Sequence, residues 1–100
     1  MTIFQSQVWG KLKQIPKGRV TTYAELAKAL GSPRASRAVG NALNKNPDAP
    51  QVPCHRVVCS DGRLGGYAGG SVQKIALLQR EGLIIKNNRI VDFQKILYKF

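Results

Sequence analysis

Acidic side chains are scarce in this chain: five Asp and Glu stand against sixteen Lys and Arg, giving a formal net charge of +11 at pH 7 over 100 residues. Such a balance excludes a surface built to hold cations and favours polyanionic partners. Cysteine is also rare, with thiols only at Cys54 and Cys59, and His55 is the sole imidazole. Two closely spaced thiols are not a disulfide framework, and with one histidine they make a poor zinc site, so no metal or other cofactor is expected. Reduced thiols suit a cytosol. No apolar run approaches the roughly 18 residues that span a bilayer, and no charged stretch followed by an apolar run marks a leader peptide. The expectation is a soluble, cytoplasmic protein, one small domain over residues 1–100. No basic amphipathic helix carries a Trp/Phe face, so membrane is the weaker polyanion and nucleic acid the stronger one.

Several elements can be read from the order of residues. Apolar positions at Ile3, Phe4, Val8, Trp9, Leu12 and Ile15 predict a first helix, with Thr2 as its cap. Pro16-Lys17-Gly18 is a loop, and Val20 is extended. Thr22 with Glu25 three residues on is a capping box, opening a helix through Leu26 and Leu30 that stops at Gly31. Ser32-Pro33 predicts the start of the next helix, with Ser32 as cap, running past Val39, Ala42 and Leu43 to about Asn46-Pro47. Together these read as a helix-turn-helix over about 21–46, although an ordinary αα-hairpin has much the same pattern. The stretch 47–53 holds three prolines and is a loop; Val52 to Cys59 reads as extended. Asp61-Gly62 is a turn, and Gly65-Gly66-Tyr67-Ala68-Gly69-Gly70 is a glycine-rich loop. Val72 to Glu81 is helical and ends at Gly82. Leu83 to Val91 predicts a hairpin about Asn87-Asn88, and Asp92 a cap for a last short helix.

The chemistry concentrates in Pro53-Cys54-His55-Arg56-Val57-Val58. A free thiol near pKa ~8.5 is mostly un-ionised at neutral pH, and an adjacent base plus a local cation is the usual remedy. For the dipeptide alone a buried structural Cys with a surface His beside it is the commoner case, and the residues around the pair reverse that. Glu81 sits near a helix C-terminus, where an acid opposes the dipole, which favours a specific partner for it. Cys59 by itself reads as a small buried hydrophobe.

Taken together, the helix-turn-helix, the hexapeptide at 53–58, Tyr67 within its glycines, Lys74, Leu77-Leu78 and Glu81-Gly82 strongly resemble the C-terminal domain of the O6-alkylguanine-DNA alkyltransferases, from about Phe4 to Gly82. The resemblance implies a mainly α, winged helix-turn-helix-like domain with a small β element. It also implies a one-turnover repair reaction: the alkylated guanine is flipped from double-stranded DNA and its O6-alkyl group moves to Cys54, without a cofactor. By the same resemblance His55 takes the thiol proton through a water, Glu81 holds the imidazole and balances its charge, and Asn46 orders the loop. Tyr23 meets the flipped base and helps protonate the leaving guanine. Tyr67 walls the pocket, the amide of Ala68 donates to guanine O6, and the carbonyls of Cys54 and Val57 accept from the exocyclic amine; Leu43 belongs to the same pocket.

Arg37 is expected to fill the gap left in the base stack, recovering part of the few kcal/mol that extrusion costs. Ala35, Ser36, Ala38 and Gly40 are small, which suits close approach to a minor groove, or simply tight helix packing. Arg34, Lys45 and the N-terminal lysines are candidate phosphate contacts. The compact form also resembles the alkyltransferase-like proteins, which bind the lesion without repairing it and flag it for nucleotide excision repair proteins. Those typically carry tryptophan where this chain has Cys54, so both readings stay open and the thiol favours the enzyme. A monomer is expected.

Overall fold

The computed structural model describes residues 3–46, 51–67 and 69–100. Within them α1 spans Ile3–Leu12, β1 Thr21–Thr22, α2 Tyr23–Ala29, α3 Ser36–Asn44, β2 Val57–Val58, α4 Ser71–Arg80, β3 Ile85–Lys86, β4 Arg89–Ile90 and α5 Phe93–Ile96. A single 3₁₀ turn, Cys54–Arg56, precedes β2. The expected cap at Thr2, the prolines at 47 and 50, and Ala68 lie outside the described residues.

Two hydrophobic clusters form, and the short parallel pair β1–β2 is the seam between them. Val57, paired with Thr21, faces the first cluster with Val8, Leu12, Leu26, Val39 and Leu43 of the three N-terminal helices. Val58, paired with Thr22, faces the second with Val20, Leu64, Leu78, Leu83 and Ile90. The alternation of side chains along a strand sends consecutive valines to opposite sides. Cys54 belongs to the first cluster, one short turn from that seam.

Local signals act as expected at α2. The Thr22 hydroxyl accepts from the Glu25 amide at 3.0 Å, a cap of the kind that contributes about 1 kcal/mol. The helix ends in a Schellman motif: the Gly31 amide reaches the Lys28 carbonyl and the Ser32 amide the Ala27 carbonyl, both at 3.0 Å, with Gly31 at φ +77°. This corrects the start expected for α3. Ser32 is spent closing α2, its carbonyl accepts from Ala35 at 2.9 Å in a turn that holds Pro33 and Arg34, and α3 begins at Ser36 with Ala35 as an unassisted cap. The far end is also earlier than expected, with Lys45 as C-cap. A second correction falls on Val52–Cys59, which is extended only at Val57–Val58. The Arg56 amide donates to the Pro53 carbonyl at 3.0 Å, and that turn sets Cys54 on a cavity wall while His55 and Arg56 both reach Glu81.

The α4 helix closes with a second Schellman motif, Gly82 to Gln79 at 3.0 Å and Leu83 to Leu78 at 3.2 Å, whose two leucines are both buried in the second cluster. The C-terminal segment completes the fold. Asn87 and Asn88 both adopt positive φ (51° and 60°), as a two-residue type I′ hairpin turn requires. Asp92 precedes α5 in a left-handed conformation without a side-chain cap, which corrects its expected role. Leu97 then pairs in parallel with Val20, on the β1 edge away from β2, and Arg19 ties the segment down by donating to the carbonyls of Ile96 (3.1 Å) and Leu97 (2.8 Å). No helix among the described residues is long and apolar enough to cross a membrane.

Candidate active site and nucleic-acid face

Cys54 opens the 3₁₀ turn and lines a cavity of about 290 Å³. Tyr23 and Tyr67 stand around the cavity with Gly66, and α3 supplies the remaining wall through Ser36, Arg37, Gly40, Asn41, Leu43 and Asn44. The thiol is reduced and largely buried, and Tyr67 lines the same cavity. Tyr23 is the first residue of α2, so the Thr22 cap that starts the helix also orients this ring. Its hydroxyl lies 3.5 Å from the Gly66 carbonyl. Burial raises the pKa of both tyrosines, so both hydroxyls keep their protons at neutral pH. Gly65, at φ +72°, allows this closeness: a Cβ there would lie 3.0 Å from the Tyr23 oxygen and 3.3 Å from the Cys59 sulfur.

Behind the cysteine, His55 is only 1% exposed. Its Nε2 is 3.1 Å from Oε2 of Glu81, the C-cap of α4. An ionised carboxylate can only accept, so Nε2 carries the proton and Nδ1 the lone pair. Nδ1 is buried and has no hydrogen-bond partner among the described residues. Burial lowers the His55 pKa, and the Glu81 contact only partly opposes it, so the ring is neutral at pH 7.

Arg56 is the partner that the sequence did not disclose. Its guanidinium grips Glu81 from two nitrogens, Nε to Oε1 at 2.9 Å and Nη2 to Oε2 at 2.5 Å, while Nη1 donates to the Ile15 carbonyl at 2.8 Å. Burial alone would raise the Glu81 carboxyl, but the Arg56 bonds and then the His55 bond outweigh it and hold the group below the usual carboxylate range. Glu81 therefore orients His55, and its charge is shared with Arg56 rather than reserved for an imidazolium.

Lys74 is the second such residue. It is fully buried in α4, and its ammonium donates to the carbonyls of Val57 (2.7 Å), Leu64 (2.5 Å) and Gly66 (3.0 Å). Three N–H bonds meet three acceptors, which satisfies the group completely. Burial lowers its pKa to about 8, against the pull of the Cys59 and Cys54 sulfurs. The signal available in sequence was its place one turn before Leu78, on the buried stripe of α4.

The remaining candidates divide. Asn46 ties the loop ahead of Cys54 by donating to the Val52 carbonyl at 2.7 Å. The Val57 side chain is core and absent from the cavity wall, and its carbonyl already receives Lys74. Ala35 packs partly against the first cluster, so the open face of α3 is carried by Arg37, Ala38, Asn41 and Asn44, with Gly40 unobstructed above its Cα. Arg34 and Lys45 are exposed at either end. Asn41, Asn44 and Gly66 on the wall were not foreseen.

The site is a cysteine-lined cavity against the second helix of a mainly helical, helix-turn-helix-like domain, the architecture of a DNA-binding class. Residues 3–83 match the family model for the DNA binding domain of 6-O-methylguanine DNA methyltransferase, and the chain belongs to that family. Its relatives include the methylated-DNA–protein-cysteine methyltransferase of Methanosarcina acetivorans, 56% identical over 81 residues, which are 81% of this chain and 52% of that protein. The chain spans about half the length of such relatives. Among solved structures, the Mycobacterium tuberculosis OGT–DNA complex superposes with a TM-score of 0.79 at 49% identity, covering 81% of this chain and 50% of that one. Schizosaccharomyces pombe Atl1, bound to DNA containing O6-carboxymethylguanine, superposes with a TM-score of 0.83 at 28% identity and covers all of both chains.

Proposed function

We propose that this chain repairs DNA directly by moving an O6-alkyl group, methyl in the simplest case, from a flipped guanine to Cys54. The observation that carries the reading is the thiol on the cavity wall, backed by an imidazole whose Nε2 is held by Glu81 and whose Nδ1 is unclaimed among the described residues. Nδ1 accepts the thiol proton, through one water if the gap requires it. The sulfur electron pair attacks the alkyl carbon as the carbon–O6 bond breaks, and a proton from Tyr23 neutralises the departing guanine. The S–C bond ends the cycle, so each molecule acts once. Tyr67 stacks against the base, while Arg37 occupies the space it leaves in the duplex. Small residues on α3 let the helix approach a minor groove, and Arg34 and Lys45 add sequence-independent phosphate contacts. We further read the chain as a single-domain monomer of the cytoplasm.

A second reading is a lesion-binding protein that hands O6-alkylguanine to nucleotide excision repair. It is favoured by the end-to-end match with Atl1. Incubation with an O6-methylguanine duplex followed by peptide mass analysis separates the two. The enzyme gains one methyl, about 14 Da, on the peptide holding Cys54. An unmodified peptide despite tight lesion binding establishes the alternative.

A further inference from the structure

Outside the cavity, one exposed surface departs from what stability alone would select. The β3–β4 register places Lys86 directly opposite Arg89, and an antiparallel bridge places Arg89 opposite Arg63. Paired residues on adjacent strands project from the same face, so three cations stand in one row across three adjacent backbone segments. All three are exposed. Like charges directly opposite one another destabilise a sheet. One carboxylate offsets them: Asp61 accepts from the Arg63 side chain at 2.7 Å and lies within electrostatic reach of Arg89, which meets the Asp61 main-chain carbonyl at 3.5 Å. Three positive charges against one negative leave two uncompensated.

The row is also attached to the cavity. The Leu64 amide donates to the Asn88 carbonyl at 3.1 Å, which ties the hairpin tip to the segment that runs through Gly65 into Gly66 and Tyr67 on the cavity wall. Lys74 fixes the same segment from beneath through the Leu64 and Gly66 carbonyls. Lys86 and Arg89 both lie beyond residue 83, where the family match ends. A cationic row at regular strand spacing, carried on a rigid turn beside the base pocket, complements the regularly spaced phosphates of a DNA backbone.

We propose that Lys86, Arg89 and Arg63 form a phosphate-binding wing that holds the DNA backbone beside the flipped nucleotide, a second contact independent of α3. This assignment rests on the DNA-repair reading above. The wing reads no bases, so it acts equally on damaged and intact duplex.

The test is the salt dependence of binding to an undamaged mixed-sequence duplex, compared between the wild type, K86Q/R89Q, and a control pair K28Q/K99Q of exposed lysines on α2 and in the C-terminal segment. Loss of two phosphate contacts lowers the slope of log K against log salt by about 2. The wing predicts that drop for K86Q/R89Q, a slope near wild type for the control, and a melting temperature for K86Q/R89Q that is unchanged or higher. An unchanged slope in K86Q/R89Q, an equal drop in the control, or a lowered melting temperature overturns the wing. A wild-type chain with no salt-dependent DNA binding sinks the repair reading itself, and with it this assignment.

Discussion

Behind Cys54 every charged group is matched, while in front of it the polar groups are open. His55, Arg56 and Glu81 sit in a nearly closed network in which one carboxylate answers an imidazole and a guanidinium. On α3, Arg37, Asn41 and Asn44 are exposed around the cavity. The back wall is organised before any ligand arrives, its ionised groups paired and only His55 Nδ1 left without a partner among the described residues. The front wall is left to be completed by whatever enters. On the proposed reading chemistry belongs to one wall and capture to the other, and variants on each wall should fail in different ways.

The largest separation is expected at Glu81. In Glu81→Gln the His55 ring loses its anionic anchor and Arg56 its counter-ion, so single-turnover transfer falls by about 100-fold, in the range for loss of acid–base organisation. Lesion affinity changes by less than about threefold on the same scale, because nothing on α3 has moved. A stopped transfer assay beside equilibrium binding reads both; parallel losses would dissolve the distinction between the walls. The pH dependence has a definite sign. The folded His55 pKa lies below its unfolded value near 6.5, so the folded ring stays a competent base at pH 7. As pH falls below about 6.5 the unfolded chain takes up the proton first, so His55 makes stability decline on the acid side.

A smaller effect, of opposite character, is expected at Arg37. Arg37→Ala should weaken lesion capture by about tenfold, the part of the extrusion cost that a stacked guanidinium can return. Binding to undamaged duplex and the transfer rate at saturating lesion should stay near wild type. Equal weakening of both duplexes would make Arg37 a simple phosphate contact.

The two walls also differ in how far they could be read in the residues. Signals that act within a few positions were legible: Thr22 with Glu25, Gly31 as a helix stop, and Asn87-Asn88 as a turn. Cys54, Tyr67 and Arg37 line the cavity, and His55 follows Cys54 in the same turn. What escaped depends on contacts between distant segments. Ser32 looks like a helix cap until Ala27 claims its amide. Arg56 pairs with Glu81 across 25 positions, and Lys74 is buried because three carbonyls from β2 and the glycine loop converge on it. No local propensity encodes such convergence.

On the proposed reading the Cys54 sulfur accepts the alkyl group in a pocket that recognises the base without it. Cys54→Ala, mixed with O6-methylguanine duplex, tests this most directly through binding and mass measured on the same sample. The expected result is wild-type preference for lesion over intact DNA, with no methyl gained anywhere on the chain. Continued methyl transfer, to Cys59 for instance, or loss of lesion preference together with loss of transfer, would contradict it.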